Sequence, residues 1–395
     1  MDRIAYIGVD GNLYTVRRDA TDRRQLTESD PALVSSAPVW SRRSPRSYAW
    51  PTWSPDGSKL AVSQLSAEEE APITINVVDI ATAQSRRLYA NDPDSVQFIG
   101  PGIPHYLFWS PDSRRLAFLA PTAAGVSLFL SSLGRDEPSQ LATGAPFYMA
   151  WHPDSHSLLL HIGSALSLVD VDSLAGASGL GPSPDTFRAP GWSPDGSQMA
   201  YIESSGSGGA ALLIADKNGD GSRSLTESGL NAALLWSPRG GRIALADSPS
   251  QTRSYYSRLR LLDVVGGRDR LLVEEPLLAF FWAPDGEKIA YVAVDTVNLR
   301  LTWKVVSLRG GQVRELADFL PSEDLLAMLI FFDQYALSSS IWSPDSTALV
   351  FSGRIDAASD ESNEEAQDSI FVLDVESAAP PQAIAPGTLA FWSYN

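Results

Sequence analysis

The sequence contains no cysteine, so disulfide bonds and thiolate metal sites are excluded. It contains four histidines, which leaves few candidates for zinc binding or for acid–base catalysis near neutral pH. No run of 18 consecutive apolar residues occurs, and we therefore expect no segment of the chain to span a membrane. Without cysteines, redox chemistry gives no indication of the compartment.

Basic residues are scarce. The 30 lysines and arginines stand against 47 aspartates and glutamates, which gives a formal net charge of −17. Nucleic-acid backbones and anionic lipid surfaces are recognised by clustered lysine and arginine, so neither is an expected partner. Cations or basic proteins fit this charge better. A hydrophobic content of 44% with 19% charged residues is typical of a folded chain with a core.

One ten-residue pattern occurs seven times. It reads WSPDGSKLAV at residues 53–62 and WAPDGEKIAY at residues 282–291, and the other copies vary around the same theme. The copies begin at Trp53, Trp109, Trp151, Trp192, Trp236, Trp282 and Trp342. Their spacing of 41 to 60 residues is typical of a propeller or a solenoid.

Each copy predicts a hairpin turn between two strands. Proline sets the first corner, aspartate suits the second, and glycine takes the left-handed position that follows. A β-rich run such as KIAYVA (288–293) follows the turn, then a third strand such as SIFVLDVE (369–376) and a more polar fourth such as QVRELA (312–317). Four antiparallel strands, repeated, predict propeller blades. The outer strand of the fourth repeat is unclear, because residues 174–188 are rich in glycine, serine and proline.

The two ends of the chain together complete one further repeat. Residues 3–27 supply only the second, third and fourth strands, and TLAFWSYN (388–395) supplies the missing first strand with Trp392. We therefore predict an all-β, eight-bladed propeller of four-stranded antiparallel blades, closed by pairing of the N-terminal strands with the C-terminal strand. Residues 1–395 form a single domain in this interpretation, with a closing blade built from about 1–27 plus 388–395.

The WSPDG and WAPDG turns, with LT or LTES in the outer strand, resemble the TolB-like, or WD40-like (PD40), propeller repeat over essentially the whole chain. The repeat also resembles the propeller domains of the prolyl oligopeptidase and dipeptidyl peptidase IV families. Those peptidases carry a separate hydrolase domain with a G-x-S-x-G nucleophile motif, which is absent here. The resemblance therefore implies a fold and leaves the function open.

We find no set of residues that predicts catalysis. Three of the four histidines lie around one hairpin and are explained as turn and strand residues; the four are His105, His152, His156 and His161. Aspartates recur at the same strand end in several repeats, at Asp79, Asp170, Asp263 and Asp374, which indicates turn chemistry. We expect no enzyme activity and no cofactor apart from calcium.

The segment DKNGDGSRSLTE (216–227) follows the spacing of a calcium loop. Oxygen ligands at positions 1, 3, 5, 7 and 12 are Asp216, Asn218, Asp220, Ser222 and Glu227, and Gly221 permits the bend. The alternative is a plain NGDG hairpin turn. Glu227 is ambiguous, because LTES also occurs at residues 26–29, where no aspartate-rich loop precedes it.

Long insertions at 28–49, 91–105 and 318–339 are expected on one rim, where binding usually resides. In the third, Ser322 is expected to cap a helix from about Glu323 to Tyr335, either a buried lid or an exposed docking patch. The candidate partner-binding residues of the first and third insertions are Trp40, Arg42, Arg43, Leu329, Phe331, Phe332 and Tyr335. Acidic segments at 66–72 and 356–368 are expected to lie close together, either as solvated loops or as a patch that attracts cations.

These observations favour a non-catalytic propeller that binds a protein or peptide through its insertion-rich rim. Two alternatives stay open: an enzyme or small-ligand binder that uses the central channel, and an accessory module of a larger complex. Met1 leads directly into a strand, which leaves no room for a signal peptide in this sequence. We expect an extracytoplasmic protein, periplasmic or extracellular, whose signal segment has been trimmed. A cytoplasmic location is the alternative. The oligomeric state is open.

Overall fold

The chain folds almost entirely into β-strands, as its repeated apolar runs predict. The computed structural model describes residues 2–28, 46–66, 72–91, 105–135, 137–174, 178–180, 188–204, 209–229, 231–249, 255–298, 300–355 and 367–395, without the side chains of residues 46, 66 and 105. Trp40, Arg42 and Arg43, and most of the acidic segments at 66–72 and 356–368, lie outside these ranges.

The strands alternate in direction along the chain and are numbered in chain order. The first sixteen are β1 Arg3–Ile7, β2 Leu13–Arg17, β3 Arg24–Gln25, β4 Arg46–Trp53, β5 Lys59–Ser66, β6 Thr74–Asp79, β7 Ser85–Ala90, β8 His105–Trp109, β9 Arg115–Thr122, β10 Gly125–Ser132, β11 Ser139–Thr143, β12 Phe147–Trp151, β13 Ser157–Ile162, β14 Ala165–Asp170, β15 Ser178–Gly179 and β16 Gly191–Trp192. The others are β17 Gln198–Ser204, β18 Ala210–Asp216, β19 Arg223–Ser228, β20 Asn231–Trp236, β21 Arg242–Ser248, β22 Arg258–Asp263, β23 Asp269–Val273, β24 Leu277–Trp282, β25 Lys288–Asp295, β26 Arg300–Ser307, β27 Val313–Pro321, β28 Ala348–Arg354, β29 Ser369–Asp374, β30 Gln382–Pro386 and β31 Leu389–Trp392.

Two short helices, α1 Glu323–Ile330 and α2 Phe332–Tyr335, follow β27. In the part of the chain that the structure describes, no helix has the length and apolar character needed to cross a bilayer. The residues pack into two compact units, unit 1 comprising 1–143, 320–327 and 338–395, and unit 2 comprising 144–319 and 328–337. The expectation of a single domain stays a prediction.

Unit 1 contains four antiparallel sheets. Three are four-stranded, in the orders β3-β2-β1-β31, β4-β5-β6-β7 and β11-β10-β9-β8. The fourth is built on β28, β29 and β30, and Trp342 adds to it through a bridge to Leu349. In this last sheet the Trp-bearing segment is reduced to isolated bridges rather than a full strand.

The first sheet of unit 1 joins both ends of the chain, as predicted. Strand β31 pairs antiparallel with β1, with Ile4 opposite Trp392 and Tyr6 opposite Ala390. The Trp392 side chain is fully buried. The Nε1 of Trp53, in the next repeat, donates a hydrogen bond of 3.2 Å to the carbonyl oxygen of Phe391. The C-terminal strand is therefore part of the core of unit 1.

Unit 2 contains three four-stranded sheets, β12 to β15, β16 to β19 and β20 to β23, and the strands β24 to β27, all in sequence order. The last residues of β27, Leu320 and Pro321, belong to unit 1 and pair with Arg354 and Gly353 of β28. In the first of these sheets the outer strand β15 has two residues and pairs only with Ser167 and Leu168. This is the repeat whose outer strand the sequence left unclear. Antiparallel strands form all eight repeats, in six four-stranded sheets and in a seven-stranded sheet that comprises the last two repeats before β31, and the predicted fold class of an eight-bladed β-propeller is confirmed.

The repeated Ser-Pro-Asp-Gly segment forms the predicted turn. In the first copy the Gly57 N–H donates to the Ser54 carbonyl oxygen at 2.8 Å, and Gly57 has a left-handed φ of +70°. The Asp56 carboxylate accepts from the Ser54 hydroxyl at 2.6 Å and from the Ser58 N–H at 2.9 Å. In the three copies that replace glycine by serine, Ser113, Ser155 and Ser346 keep the left-handed backbone, with φ of 62°, 68° and 61°. The left-handed turn position is thus retained even where serine, which disfavours this conformation, replaces glycine.

Several of the repeated tryptophans connect their repeat to the one before it. Trp109 Nε1 donates to the Thr52 carbonyl oxygen at 3.0 Å, and Trp282 Nε1 donates to that of Leu235 at 3.1 Å. Thr52 and Leu235 each stand immediately before the tryptophan of the preceding repeat, as Phe391 stands before Trp392. A buried indole N–H needs an acceptor, and the carbonyl oxygen of the preceding repeat supplies one to Trp53, Trp109, Trp236 and Trp282.

We expect Trp236→Phe to cost more stability than Trp192→Phe. Trp236 Nε1 donates to the Gly191 carbonyl oxygen at 3.1 Å, whereas the buried Trp192 Nε1 has no hydrogen-bond partner among the described residues. Both side chains are about equally buried, so the loss of ring volume is matched. Trp236→Phe additionally leaves a buried carbonyl oxygen without its donor, which costs about 1–3 kcal/mol. Urea unfolding of both variants measures the difference, and equal losses would show that the indole hydrogen bond contributes nothing.

Candidate functional site

The insertion after β27 begins as the sequence predicts. The Ser322 hydroxyl accepts the Leu325 N–H at 3.2 Å, which makes Ser322 the N-cap of α1. Glu323 and Asp324 lie in the first turn, where their charge favours the positive end of the helix dipole. The prediction of one helix to Tyr335 is wrong, because the backbone leaves the helical region at Phe331, with φ −111° and ψ 32°. Two shorter helices result.

Phe332, which follows the break, lies in the core of unit 2. Its ring centroid lies 4.9 Å from that of Phe280, 5.8 Å from that of Phe281 and 5.9 Å from that of Tyr256. Leu329 and Phe332 are fully buried and Tyr335 is 2% exposed. These three predicted partner-binding residues are therefore core residues, and their assignment to a docking surface is corrected. Together with the buried Met328 they have the spacing of one helical face, and that face packs inward.

Among the candidate partner-binding residues that the structure describes, Phe331 is accessible. Its side chain is 46% exposed, next to Ile330 at 52%, and Leu337 at the end of the insertion is 40% exposed. These three residues are named the apolar patch below. Leu326, one helical turn before Ile330, is 39% exposed as well. Large apolar side chains gathered in one short segment of a folded protein are a feature of interaction surfaces.

The charge around the apolar patch has one sign. No lysine, arginine or histidine occurs from residue 315 to residue 353, whereas acidic residues recur there: Glu315, Asp318, Glu323, Asp324, Asp333 and Asp345. Asp333 is buried, and Glu323 is exposed. The insertion therefore presents apolar side chains in an acidic segment.

A polar cluster lies on the inner side of α2 in unit 2. Its members come from the starts of β12 and β20, from the segments that precede β16 and β22, and from α2: Tyr148, Arg188, Asn231, Tyr256 and Asp333, named the Asp333 cluster. The Ala189 N–H donates to Asp333 Oδ2 at 3.3 Å, and Arg188 Nη2 donates to Asn231 Oδ1 at 2.9 Å. Asp333 is only 9% exposed.

Burial dominates the electrostatics of this cluster. It raises the pKa of the Asp333 carboxyl, and the Arg188 guanidinium and the backbone amides of Ala189 and Gln334 offset this only in part. Burial also raises the pKa of the Tyr148 and Tyr256 hydroxyls, and the Asp333 charge raises both further. The groups therefore lie near enough to interact electrostatically, in a region shielded from water.

The sequence did not reveal the Asp333 cluster. Its members stand in different repeats, outside the WSPDG pattern, and no spacing rule connects them. One signal was present, namely an aspartate in the middle of the apolar run LLAMLIFFDQYAL. A charged residue at a buried position is rarely without a partner.

The predicted calcium loop is a hairpin turn in this structure. Asp216 Oδ1 accepts the N–H groups of Asn218 at 2.8 Å and Asp220 at 2.9 Å, and the Ser222 hydroxyl lies 2.7 Å from the Tyr201 hydroxyl. Glu227 pairs with Ala211, five residues along β18 from Asp216, or about 16 Å at the usual rise of a strand. Over the described ranges, no group of three or more His, Cys, Asp or Glu residues is placed to hold a metal. Calcium binding stays a prediction.

The recurring aspartates at strand ends have the turn role that recurrence indicates. Asp79 Oδ1 accepts the N–H groups of Ala81 and Thr82, and Asp263 Oδ1 accepts those of Val265 and Gly266. Hydrogen bonds from the Thr82 and Gly266 backbones lower the pKa of Asp79 and of Asp263, respectively. These carboxylates accept hydrogen bonds within their own turns and stabilise them.

Unit 1 contains a surface pocket of about 610 Å³. It is lined by Asp2, Arg3, Arg17, Arg18, Asp19 and Gln382. Arg18 donates to Thr347 at 2.8 Å and to Asp374 at 3.2 Å, and Arg3 forms an ion pair with Asp22. Because the guanidinium groups are paired within the protein, the pocket has no strong preference for a charged ligand.

Comparison with known proteins establishes the fold. No family model and no curated protein matches the chain. A structure from a study of two prolyl endopeptidases is 12% identical, covers 88% of this chain and 50% of that chain, and has a TM-score of 0.57. Oligogalacturonate lyase in complex with manganese is 15% identical, covers 80% of this chain and 85% of that chain, and has a TM-score of 0.54. TolB from Acinetobacter baumannii is 15% identical over 93% of this chain and 89% of that chain, with a TM-score of 0.44.

These similarities, at identities of 15% or less, concern architecture alone. The chain is a β-propeller, and the resemblance to the propellers of prolyl oligopeptidases is confirmed at the level of fold. Half of the prolyl endopeptidase chain lies outside the matched region. The function of this propeller is therefore argued from its own residues.

Proposed function

We propose that this protein is a non-catalytic scaffold that binds a segment of another protein through the insertion after β27. The observation that supports the proposal is the apolar patch. Ile330, Phe331 and Leu337 are 52%, 46% and 40% exposed, whereas Leu329 and Phe332, next to them in sequence, are fully buried. The insertion is thus anchored to unit 2 by one apolar face and exposes other apolar side chains, as helical segments that bind a partner do.

The chemistry of the insertion favours one class of partner. Apolar side chains in a segment with no basic residue favour a partner segment that combines apolar residues with lysine or arginine. Burial of a large apolar side chain contributes about 1.5–3 kcal/mol, and these residues are already about half covered. Loss of both Ile330 and Phe331 is therefore expected to weaken binding by roughly 10- to 100-fold.

Site-specific photocrosslinking tests this proposal. A photoreactive residue at position 331 is expected to capture a protein from extracts of the source cells, with adducts in a segment that is both basic and apolar. The same residue at Val297, which is 85% exposed on a hairpin of unit 2, is the matched control and is expected to give no such adduct. Adducts that are the same at both positions would contradict the proposal.

The captured partner then allows a quantitative test. Ile330→Glu with Phe331→Glu is expected to weaken its binding, whereas Val265→Glu with Val297→Glu adds the same charge at residues that are 91% and 85% exposed and is expected to leave the affinity unchanged. If both double variants weaken binding equally, the loss of affinity is due to net charge, and the apolar patch does not contact the partner. Circular dichroism checks that all variants are folded.

The other interpretations of the chain stay predictions. An enzyme would use the polar starts of the innermost strands, and the lyase among the similar structures is the reason to keep that alternative. An accessory role in a larger complex is compatible with the apolar patch, because the partner would then be a subunit of that complex. Extracytoplasmic location and calcium binding also await measurement.

A further inference from the structure

The hairpin turns between β20 and β27 carry a group of exposed arginines on a chain whose net charge is −17. We propose that this surface of unit 2 binds a short segment of a partner protein that is rich in aspartate and glutamate. The surface is named the arginine face and is defined by Arg239, Arg242, Arg268, Arg270 and Arg309. It shares no residue with the apolar patch, and the inference is independent of the partner proposed there.

Short contacts place these turns side by side. The Val264 N–H, in the turn from β22 to β23, donates to the Gly241 carbonyl oxygen at 3.0 Å, in the turn from β20 to β21. Arg239 Nη1 donates to Glu287 Oε1 at 2.9 Å, in the turn from β24 to β25. Arg309 Nε donates to the other oxygen of Glu287, at 3.1 Å. One carboxylate is therefore held between two guanidinium groups, which shows that the face has the geometry to bind carboxylates.

Arg239 stands where the other six copies of the repeated turn have aspartate. In each of those copies the carboxylate accepts the N–H of the residue two positions later, at 2.8 to 3.1 Å: Asp56, Asp112, Asp154, Asp195, Asp285 and Asp345. Arginine has no acceptor atom in its side chain, and this turn has two left-handed glycines instead, Gly240 and Gly241, with φ of +72° and +68°. A carboxylate that stabilises its own turn is thus replaced by a cation that is 61% exposed.

Positive charge predominates on the arginine face. Arg309 is 82% exposed, and the other arginines of the face are exposed as well. The acidic residues that lie among the five arginines are Asp263 and Glu287. Two further carboxylates are offset by cations outside the set: Asp285 by Lys288 at 3.8 Å and Asp269 by Arg260 at 2.8 Å. The face therefore has a local charge opposite in sign to that of the whole chain.

The chemistry of the face favours an acidic peptide segment. Guanidinium groups bind carboxylates through charge-assisted hydrogen bonds of matched geometry. Because the arginines are distributed over several turns, carboxylates spaced along a peptide can contact them together, which one small anion cannot do. A long polyanion would extend beyond the face onto the remaining surface of a chain with net charge −17. Charges interact over about 8 Å at physiological ionic strength, so distant acidic residues do not cancel the local attraction.

Binding of fluorescein-labelled octaglutamate, measured by fluorescence anisotropy at about 50 mM sodium chloride, tests the proposal. The wild-type protein is expected to bind, and Arg239→Asp is expected to weaken binding by roughly 10-fold or more, because it reverses a charge within the face. This variant restores the residue that the other copies of the turn contain, so its melting temperature is expected to stay within about 3 °C of the wild-type value. Arg309→Gln is expected to weaken binding by roughly 3-fold.

Arg17→Asp is the matched control. The Arg17 side chain is 60% exposed in unit 1, and the same change of charge there is expected to alter binding by less than about 2-fold. The proposal is overturned if the wild-type protein does not bind octaglutamate, or if Arg239→Asp and Arg17→Asp weaken binding equally. It is also overturned if octathymidylate or inorganic phosphate binds as tightly as octaglutamate. Variants of Arg239 and Arg309 that lose stability but keep full binding would assign these arginines to the contact between neighbouring turns alone.

Discussion

Deletion of residues 388–395 is expected to unfold unit 1. The deletion removes β31 and with it the fully buried Trp392 and the nearly buried Leu389 and Phe391. At about 1.5–3 kcal/mol for each large apolar side chain, the loss is about 5–9 kcal/mol, which is comparable to the total stability of a typical domain. The deletion also exposes the edge of β1 and removes the acceptor of the Trp53 indole N–H. The effect is therefore expected to exceed that of any single substitution.

Thermal unfolding followed by circular dichroism and by tryptophan fluorescence measures this effect. The control is deletion of Asn395 alone, an exposed residue whose amide donates to the Pro55 carbonyl oxygen at 3.0 Å. We expect the control to melt close to the full chain and the longer deletion to show no cooperative transition from unit 1. A full cooperative transition at an unchanged temperature would refute the pairing of the two chain ends.

Asp247→Ala is expected to be the most destabilising of the substitutions considered for unit 2. The Asp247 side chain is fully buried and accepts two hydrogen bonds from Arg258, at 2.6 and 2.8 Å, and one from the Gly229 N–H at 3.1 Å. Its removal leaves a partly buried guanidinium and a backbone N–H without their acceptor. Breaking a buried ion pair on one side costs about 3–5 kcal/mol, and we expect a loss near the lower limit because Arg258 is partly exposed.

Asp269→Ala is the matched control in the same sheet. Asp269 pairs with Arg260 at 2.8 Å but is 31% exposed, so the expected loss is at most about 1 kcal/mol. Added salt separates the two cases further. The loss from Asp269→Ala is expected to shrink in 0.5 M sodium chloride, and that from Asp247→Ala is expected to persist. Comparable small losses in urea unfolding would mean that water reaches Asp247 and that the pair is not buried in solution.

Much of the blade architecture is predictable because its causes are local. Proline, aspartate and glycine at successive positions define a turn through their own backbone preferences, and Gly57 adopts the left-handed conformation that the pattern predicts. The pairing of Ile4 with Trp392 is predictable for a different reason. The first repeat lacks one strand and the end of the chain supplies one, so a count of strands was sufficient.

Side-chain direction within the insertion was not predictable from the sequence. Phe331 and Phe332 are adjacent and chemically identical, yet one is 46% exposed and the other is fully buried. The buried residues Leu325, Met328, Leu329 and Phe332 have the spacing of one helical face, but apolar residues also occupy the rest of the helix, so the pattern alone does not show which side is buried. The Glu227 side chain is a similar case, because strand register, rather than spacing along the chain, sets its distance from Asp216.

By itself, the sequence determined the repeated hairpins, the four-stranded sheets and the union of the two chain ends. Each of these depends on residues close in sequence or on a pattern that recurs. Only the tertiary structure decided which apolar residues of the insertion face solvent, and that Asp333 accepts the Ala189 N–H across 144 residues of sequence. Contacts between distant repeats depend on how strands and helices pack, and a buried polar contact has no periodicity that a sequence can display.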